Sequence, residues 1–62
     1  MNKEIYEYRV TYLPPNTNYC SRDFETLKDA VLFFGNMDHP RELIEFIPEG
    51  NRFKTVILIS VD

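Results

Sequence analysis

Apolar and polar residues alternate with a period of two from Ile5 to Leu13, which predicts a strand with one buried and one wetter face. Tyr6, Tyr8, Val10 and Tyr12 fall on one side; Glu7, Arg9 and Thr11 fall on the other, between Ile5 and Leu13 at the ends. Pro14-Pro15-Asn16-Thr17-Asn18 stops the strand, because proline lacks the amide a ladder needs and asparagine favours turns. Asn18 to Glu25 fits two descriptions. Tyr19, Ser21 and Asp23 alternate with Cys20, Arg22 and Phe24, as in the returning strand of a hairpin; the rival is a helix that begins early with Asp23 as its cap. The hairpin is preferred, since a better helix start follows at Thr26.

The segment Thr26 to Asn36 predicts the one helix. Thr26 and Asp29 have capping-box spacing, so hydroxyl and acid can satisfy orphan amides of the first turn. Gly35 and Asn36 suit a left-handed closure. At 3.6 residues per turn, Leu27, Ala30, Phe33, Phe34 and Met37 share a face toward the sheet. Lys28, Asp29 and Asn36 lie opposite, and Leu32 lies with them on the polar side; Val31 sits on the border.

After a turn at Met37-Asp38-His39-Pro40, Arg41 to Ile47 predicts a third strand and Phe53 to Val61 a fourth, joined by a turn at Pro48-Glu49-Gly50-Asn51. The middle of the last strand, Thr55 to Ile59, is apolar on both faces, as in a strand covered on both sides. A single helix covers one face only, so the other is a candidate dimer interface. The expected architecture is α+β: one antiparallel sheet in β-β-α-β-β order, a single helix packed on one face, and residues 1–62 forming one small domain.

A chain of 62 residues has little core, and small domains lean on disulfides, metals or association. One cysteine, Cys20, and one histidine, His39, leave no internal disulfide and no Cys/His metal cluster, so association gains weight, a homodimer above all. The net charge of −3 opposes direct nucleic-acid binding, which favours a basic excess. It fits either ordinary solubility or acids placed against a basic partner. There is no apolar run of membrane-spanning length, and Glu4, Glu7 and Arg9 interrupt any signal-peptide pattern; together with the lone cysteine this indicates a reducing cytoplasm.

No catalytic constellation emerges, and the reading is of a protein without enzymatic activity, cofactor or metal. His39 with Asp38 or Cys20 would be the only material for acid–base or thiol chemistry, and His39 reads as a solvated turn residue. Four features can form a binding surface: Leu32 with Val31 on the outer helix; the Tyr6, Tyr8 and Tyr12 row, which also reads as a core face; the acids Glu42, Glu45 and Glu49 beside Asp38, which also read as a solvated face; and the second apolar face of the last strand.

Two stretches resemble the small uracil-DNA glycosylase inhibitors of protein-primed Bacillus phages. Tyr8-Arg9-Val10-Thr11-Tyr12-Leu13 is similar to that family's first strand. Leu27 to Asn36 is similar to its helix, which runs Leu, any, Asp, Phe, Glu, two aliphatics, Tyr, Gly, Asn. Glu42 to Ile47 falls where the family has an acidic-aliphatic strand. The resemblance implies a homodimeric DNA mimic that occupies the host glycosylase, captures its duplex-inserting leucine in a nonpolar pocket, and uses acids in place of phosphates. Under it Phe34 matches the family's tyrosine, and Gly35 and Asn36 match directly; Leu32, Val31, Glu42 and Glu45 join the partner-binding set from the surface features above. The family's Phe-Glu pair falls on Ala30-Val31; Phe24-Glu25 offers the same letters earlier in the chain. The strand Phe53 to Val61 is additional to the family's pattern. The other reading is a small phage or bacterial interaction module that binds a different host protein, again without catalysis.

Overall fold

The computed structural model describes residues 6–62. Four strands form one antiparallel sheet: β1 (Tyr8–Tyr12), β2 (Cys20–Phe24), β3 (Arg41–Glu49) and β4 (Arg52–Val61), with helix α1 (Leu27–Gly35) between β2 and β3 in sequence. The spatial order is β2-β1-β3-β4, which makes β2 and β4 the edges. The β-β-α-β-β order and the α+β class follow the hydrophobic pattern, and residues 20–24 are the strand, not an early start to the helix.

The alternation along β1 places Tyr8, Val10 and Tyr12 under the helix. Register carries that face across the sheet: Tyr8 stands opposite Phe24 and Glu45, Val10 opposite Arg22 and Leu43, and Tyr12 opposite Cys20 and Arg41. Val10, Leu43, Ala30 and Phe34 are the buried core, with Tyr8, Tyr12, Phe24 and Phe33 packed around it. The rings of Phe24 and Tyr12 each lie against Phe33, at 5.3 and 5.5 Å between centroids.

Thr26 caps the helix as its spacing predicts: its backbone is extended, and its hydroxyl accepts from the Asp29 amide at 3.2 Å. The other end differs from the expectation. Gly35 and Asn36 are not left-handed; Asn36 has φ −95° and its amide donates to the Phe33 carbonyl at 3.3 Å, a tightened last turn in place of a left-handed closure.

Other boundaries shift for identifiable reasons. Ile5 lies outside the described residues, and β1 runs only from Tyr8 to Tyr12. Tyr6, expected on the buried face, instead borders a cleft with Arg9 and Phe46 on the sheet face away from the helix. Pro48 and Glu49 belong to β3, paired with Phe53 and Arg52, so the loop is only Gly50-Asn51. Gly50 alone in that loop has positive φ, +65°, the demand of a two-residue turn with its first centre left-handed.

The largest correction concerns β4. The helix lies over β1, β2 and β3 and does not reach β4, so among the described residues no helix covers either face of β4. A helix is ~10 Å wide. Strands lie ~4.8 Å apart. One short helix therefore cannot span four of them. Leu27, expected in the core, is the first residue of the helix and is exposed.

Candidate functional site

Two exposed apolar surfaces and one cleft carry the candidate binding residues. The first surface is the outer side of α1. Ala30 and Phe34 point into the core, which leaves Leu27, Val31 and Leu32 exposed, Leu32 by 57%. Gly35 follows Val31 by four residues and Leu32 by three, so it neighbours both on the helix surface. A Cβ on Gly35 would meet nothing within 4 Å. Val31 and Leu32 are therefore exposed one turn before the side-chain-free Gly35, with open space where its side chain would be. Glu25 and Asp29 are exposed at the opposite end, beside Leu27.

The remaining sequence-derived candidates are dispersed. Phe34 is in the core, with the Arg41 guanidinium 4.6 Å above its ring. Arg41 also donates to the His39 carbonyl at 2.8 Å, while its Nε has no partner among the described residues. Phe24 packs beneath the helix, whereas Glu25 is exposed in the link to it; the two are not a contact pair. Asn36 is exposed beyond Gly35. Glu42 and Glu45 project from opposite faces of β3. Glu45 shares the helix face with Tyr8, its cross-strand partner, and Glu42 lines a depression with Thr11, Ser60 and Asp62. His39 stacks near Tyr12, ring centroids 6.4 Å apart, and Cys20 points its sulfur toward the Asn18 carbonyl. The outer surface of α1 brings together Val31, Leu32 and Gly35; it does not gather Phe34, Glu42 or Glu45.

The second surface is β4. Phe53, Ile57, Leu58, Ile59 and Val61 are all exposed, Phe53 by 62% and Ile57 by 57%. Between Leu43 and Ile44 the register advances by one residue on β3 and two on β4, so Leu58 is an extra residue, a bulge. The bulge breaks the alternation: Ile57 pairs with Ile44 on the open face, and Ile59 pairs with Leu43 on the helix face.

The cleft lies on the open sheet face, about 310 Å³, lined by Tyr6, Arg9, Asp23, Phe46 and Phe53. Arg9 donates to Asp23 from Nε at 2.7 Å and from Nη2 at 3.2 Å, and its guanidinium lies 5.1 Å from the Phe46 ring. The hydrogen bond to Asp23 raises the Arg9 pKa further above its ordinary value, against partial burial and with help from the carboxylate charge. On the helix face, partial burial holds the Tyr8 phenol above its ordinary pKa of 10.0, helped by Glu45 and Glu7. Sequence reading missed the Arg9–Asp23–Phe46 grouping. Its only signal was register, since the three residues are scattered until β1 is paired with β2 and β3.

No protein-family model, no curated protein and no solved structure matches this chain. No helix among the described residues is long and apolar enough to cross a membrane.

Proposed function

We propose that this protein is a binding module that works by occupancy, with no chemistry of its own, and that its partner is a host uracil-DNA glycosylase met in the cytoplasm. The observation that carries the binding reading is the exposed apolar patch at the end of α1. Val31 and Leu32 leave apolar surface exposed one turn before a side-chain-free Gly35, on a helix held rigid by Ala30 and Phe34 beneath it. Such a feature suits the capture of one apolar side chain from a partner. Burying a leucine there is worth about 1.5–3 kcal/mol. The choice of partner rests on the resemblance of β1 and α1 to the glycosylase inhibitors. The exposed acids Glu25 and Asp29 then stand toward the basic DNA-binding face of the enzyme, where they raise the association rate more than the final affinity.

The test is uracil excision by a bacterial uracil-DNA glycosylase in the presence of the purified protein, followed by light-scattering chromatography of the mixture. Inhibition with a stable complex is the expected result. Leu32→Asp and Gly35→Arg, both on exposed positions, should each weaken it about tenfold or more, the equivalent of one buried apolar side chain. Phe34→Ala is uninformative here, because Phe34 supports the core. Full excision activity and no complex would remove the glycosylase as partner.

A further inference from the structure

We propose that the sheet face away from the helix docks a short extended segment of a partner protein, one that carries an apolar side chain and a lysine or arginine about 13 Å apart. Register gathers this face from all four strands. Arg9 stands opposite Asp23 and Ile44, and Ile44 opposite Ile57; Thr11 stands opposite Ser21 and Glu42, and Glu42 opposite Ser60. The helix lies on the other side, and no helix among the described residues covers this one. The cleft of Tyr6, Arg9, Asp23, Phe46 and Phe53 lies at one end of the face. At the other end a depression of about 240 Å³ is bordered by Thr11, Glu42, Ser60 and Asp62. Ile44 and Ile57 stand between the two.

The two ends ask for different chemistry. In the cleft the charges are already matched: Asp23 accepts from Arg9, and the Arg9 guanidinium lies over the Phe46 ring. What remains is aromatic surface, with Phe53 exposed, so the cleft suits an uncharged apolar side chain. Exposed Ile57 continues that apolar surface along β4. In the depression, Glu42 and Asp62 have no ion-pair partner among the described residues. The hydroxyls of Thr11 and Ser60 beside them can accept hydrogen bonds. Arg41 also lines the depression, but its guanidinium is turned to the helix side, over Phe34. An ammonium or guanidinium is the group that matches two carboxylates and two hydroxyls. Glu42 and Phe46 are four residues apart on β3, which is about 13 Å along a strand. Side chains four apart on one face of an extended segment have the same spacing.

Charge selects a protein segment over the other occupants. A nucleic-acid strand would bring phosphates toward Glu42 and Asp62, and the net charge of −3 opposes it as well. A second copy brings no unpaired base to this face among the described strand residues. Arg9 is already held by Asp23, and the register beyond the bulge sets Arg52 and Lys54 opposite Glu49 and Ile47 on the helix face. A segment with an apolar residue and a base satisfies both ends at once. The surface lies across the sheet from α1, so its occupant leaves Val31 and Leu32 free for the partner proposed above.

The experiment is amide-resolved NMR of the full chain, titrated to millimolar with a synthetic pentapeptide blocked at both ends. The peptide has phenylalanine first, valine third and lysine fifth, with threonine between. Saturable shifts are expected at the amides of Ile44, Phe46, Ile57 and Ser60, with Val31 and Leu32 unmoved. Exchanging the peptide's lysine for glutamine should weaken binding up to about fivefold, the range of an exposed ion pair. Glu42→Gln combined with Asp62→Asn should weaken the lysine peptide by the same factor, and the glutamine peptide should then lose nothing further. Phe53→Ser, on an exposed side chain, should weaken both peptides about tenfold, and the spectrum of each variant reports its folding. No saturable shift overturns the proposal. So does equal binding of the lysine and glutamine peptides, or a short oligothymidylate that shifts the same amides more strongly. The readout involves neither the glycosylase nor α1, so its failure and failure of the proposed function are separately visible.

Discussion

Arg9 and Asp23 stand opposite each other in the β1–β2 register, and their side chains close the same pair: Nε to Oδ1 at 2.7 Å and Nη2 to Oδ2 at 3.2 Å. The pair is more than a third exposed on both sides, 41% and 35%, so solvent screens it and its worth is that of a surface ion pair. The Arg9 guanidinium also lies over the Phe46 ring. Asp23→Ala should therefore cost about 0.5 kcal/mol. Arg9→Ala should cost about 0.5–1 kcal/mol more, through the lost cation–π contact. Urea unfolding of both variants at low and high salt checks this, with the Asp23 effect shrinking in salt and the excess for Arg9 persisting. Equal losses would mean that Phe46 gains nothing from the guanidinium above it.

Leu43 and Leu32 should behave as opposites. Leu43 is fully buried between Val10 and the helix, and Leu43→Ala should cost about 2–5 kcal/mol. Total stability near 0.05–0.15 kcal/mol per residue makes that most of what a chain this size has. Leu32→Ala removes an exposed side chain and should stay within about 0.5 kcal/mol. Thermal unfolding by circular dichroism should show a large loss of structure for Leu43→Ala at 37 °C and a near-unchanged transition for Leu32→Ala.

The two glycines divide in the same way. Neither has an atom within 4 Å of a built Cβ, so sterics with neighbours do not separate them. Backbone does. Gly50 has φ +65°, and Gly50→Ala should destabilise by about 1 kcal/mol. Gly35 is the last helical residue with an ordinary negative φ, and Gly35→Ala should stabilise by up to about 1 kcal/mol through helix propensity. Urea midpoints should move in opposite directions. A loss at Gly35 would mean the helix ends left-handed after all.

Tyr8 supplies a pH dependence. Its phenol keeps its proton to higher pH in the folded chain than the ordinary value of 10.0, through partial burial and then Glu45 and Glu7. The folded state thus binds more protons than the unfolded state over that interval. The contribution is fully present below pH 10.0 and is lost as pH rises through the folded value. The urea midpoint should fall as pH rises above 10.0. Tyr8→Phe should flatten that decline.

What the sequence by itself determined is local and periodic. Alternation at Tyr8, Val10 and Tyr12 marks the strand and its buried face; Thr26 and Asp29 mark where the helix begins; Ala30, Phe33 and Phe34 mark the side it buries. These follow from chain geometry within a few residues. The exposure of Val31 and Leu32 was legible on the same ground, because their positions on the helix leave them outside the buried arc.

Only the tertiary structure decided what depends on register and reach. The Arg9–Asp23–Phe46 grouping exists because β1 pairs with both β2 and β3. The separation of Glu42 from Glu45 follows from odd spacing on a pleated strand. Phe34 could be either contact or core until Leu43 and Val10 were seen beneath it. The run Thr55 to Ile59 reads as a strand buried between layers, yet among the described residues no helix covers either of its faces. Apolar periodicity reports that a surface seeks cover; whether the chain has enough helix to provide it is set by the width of a single nine-residue helix against a four-stranded sheet.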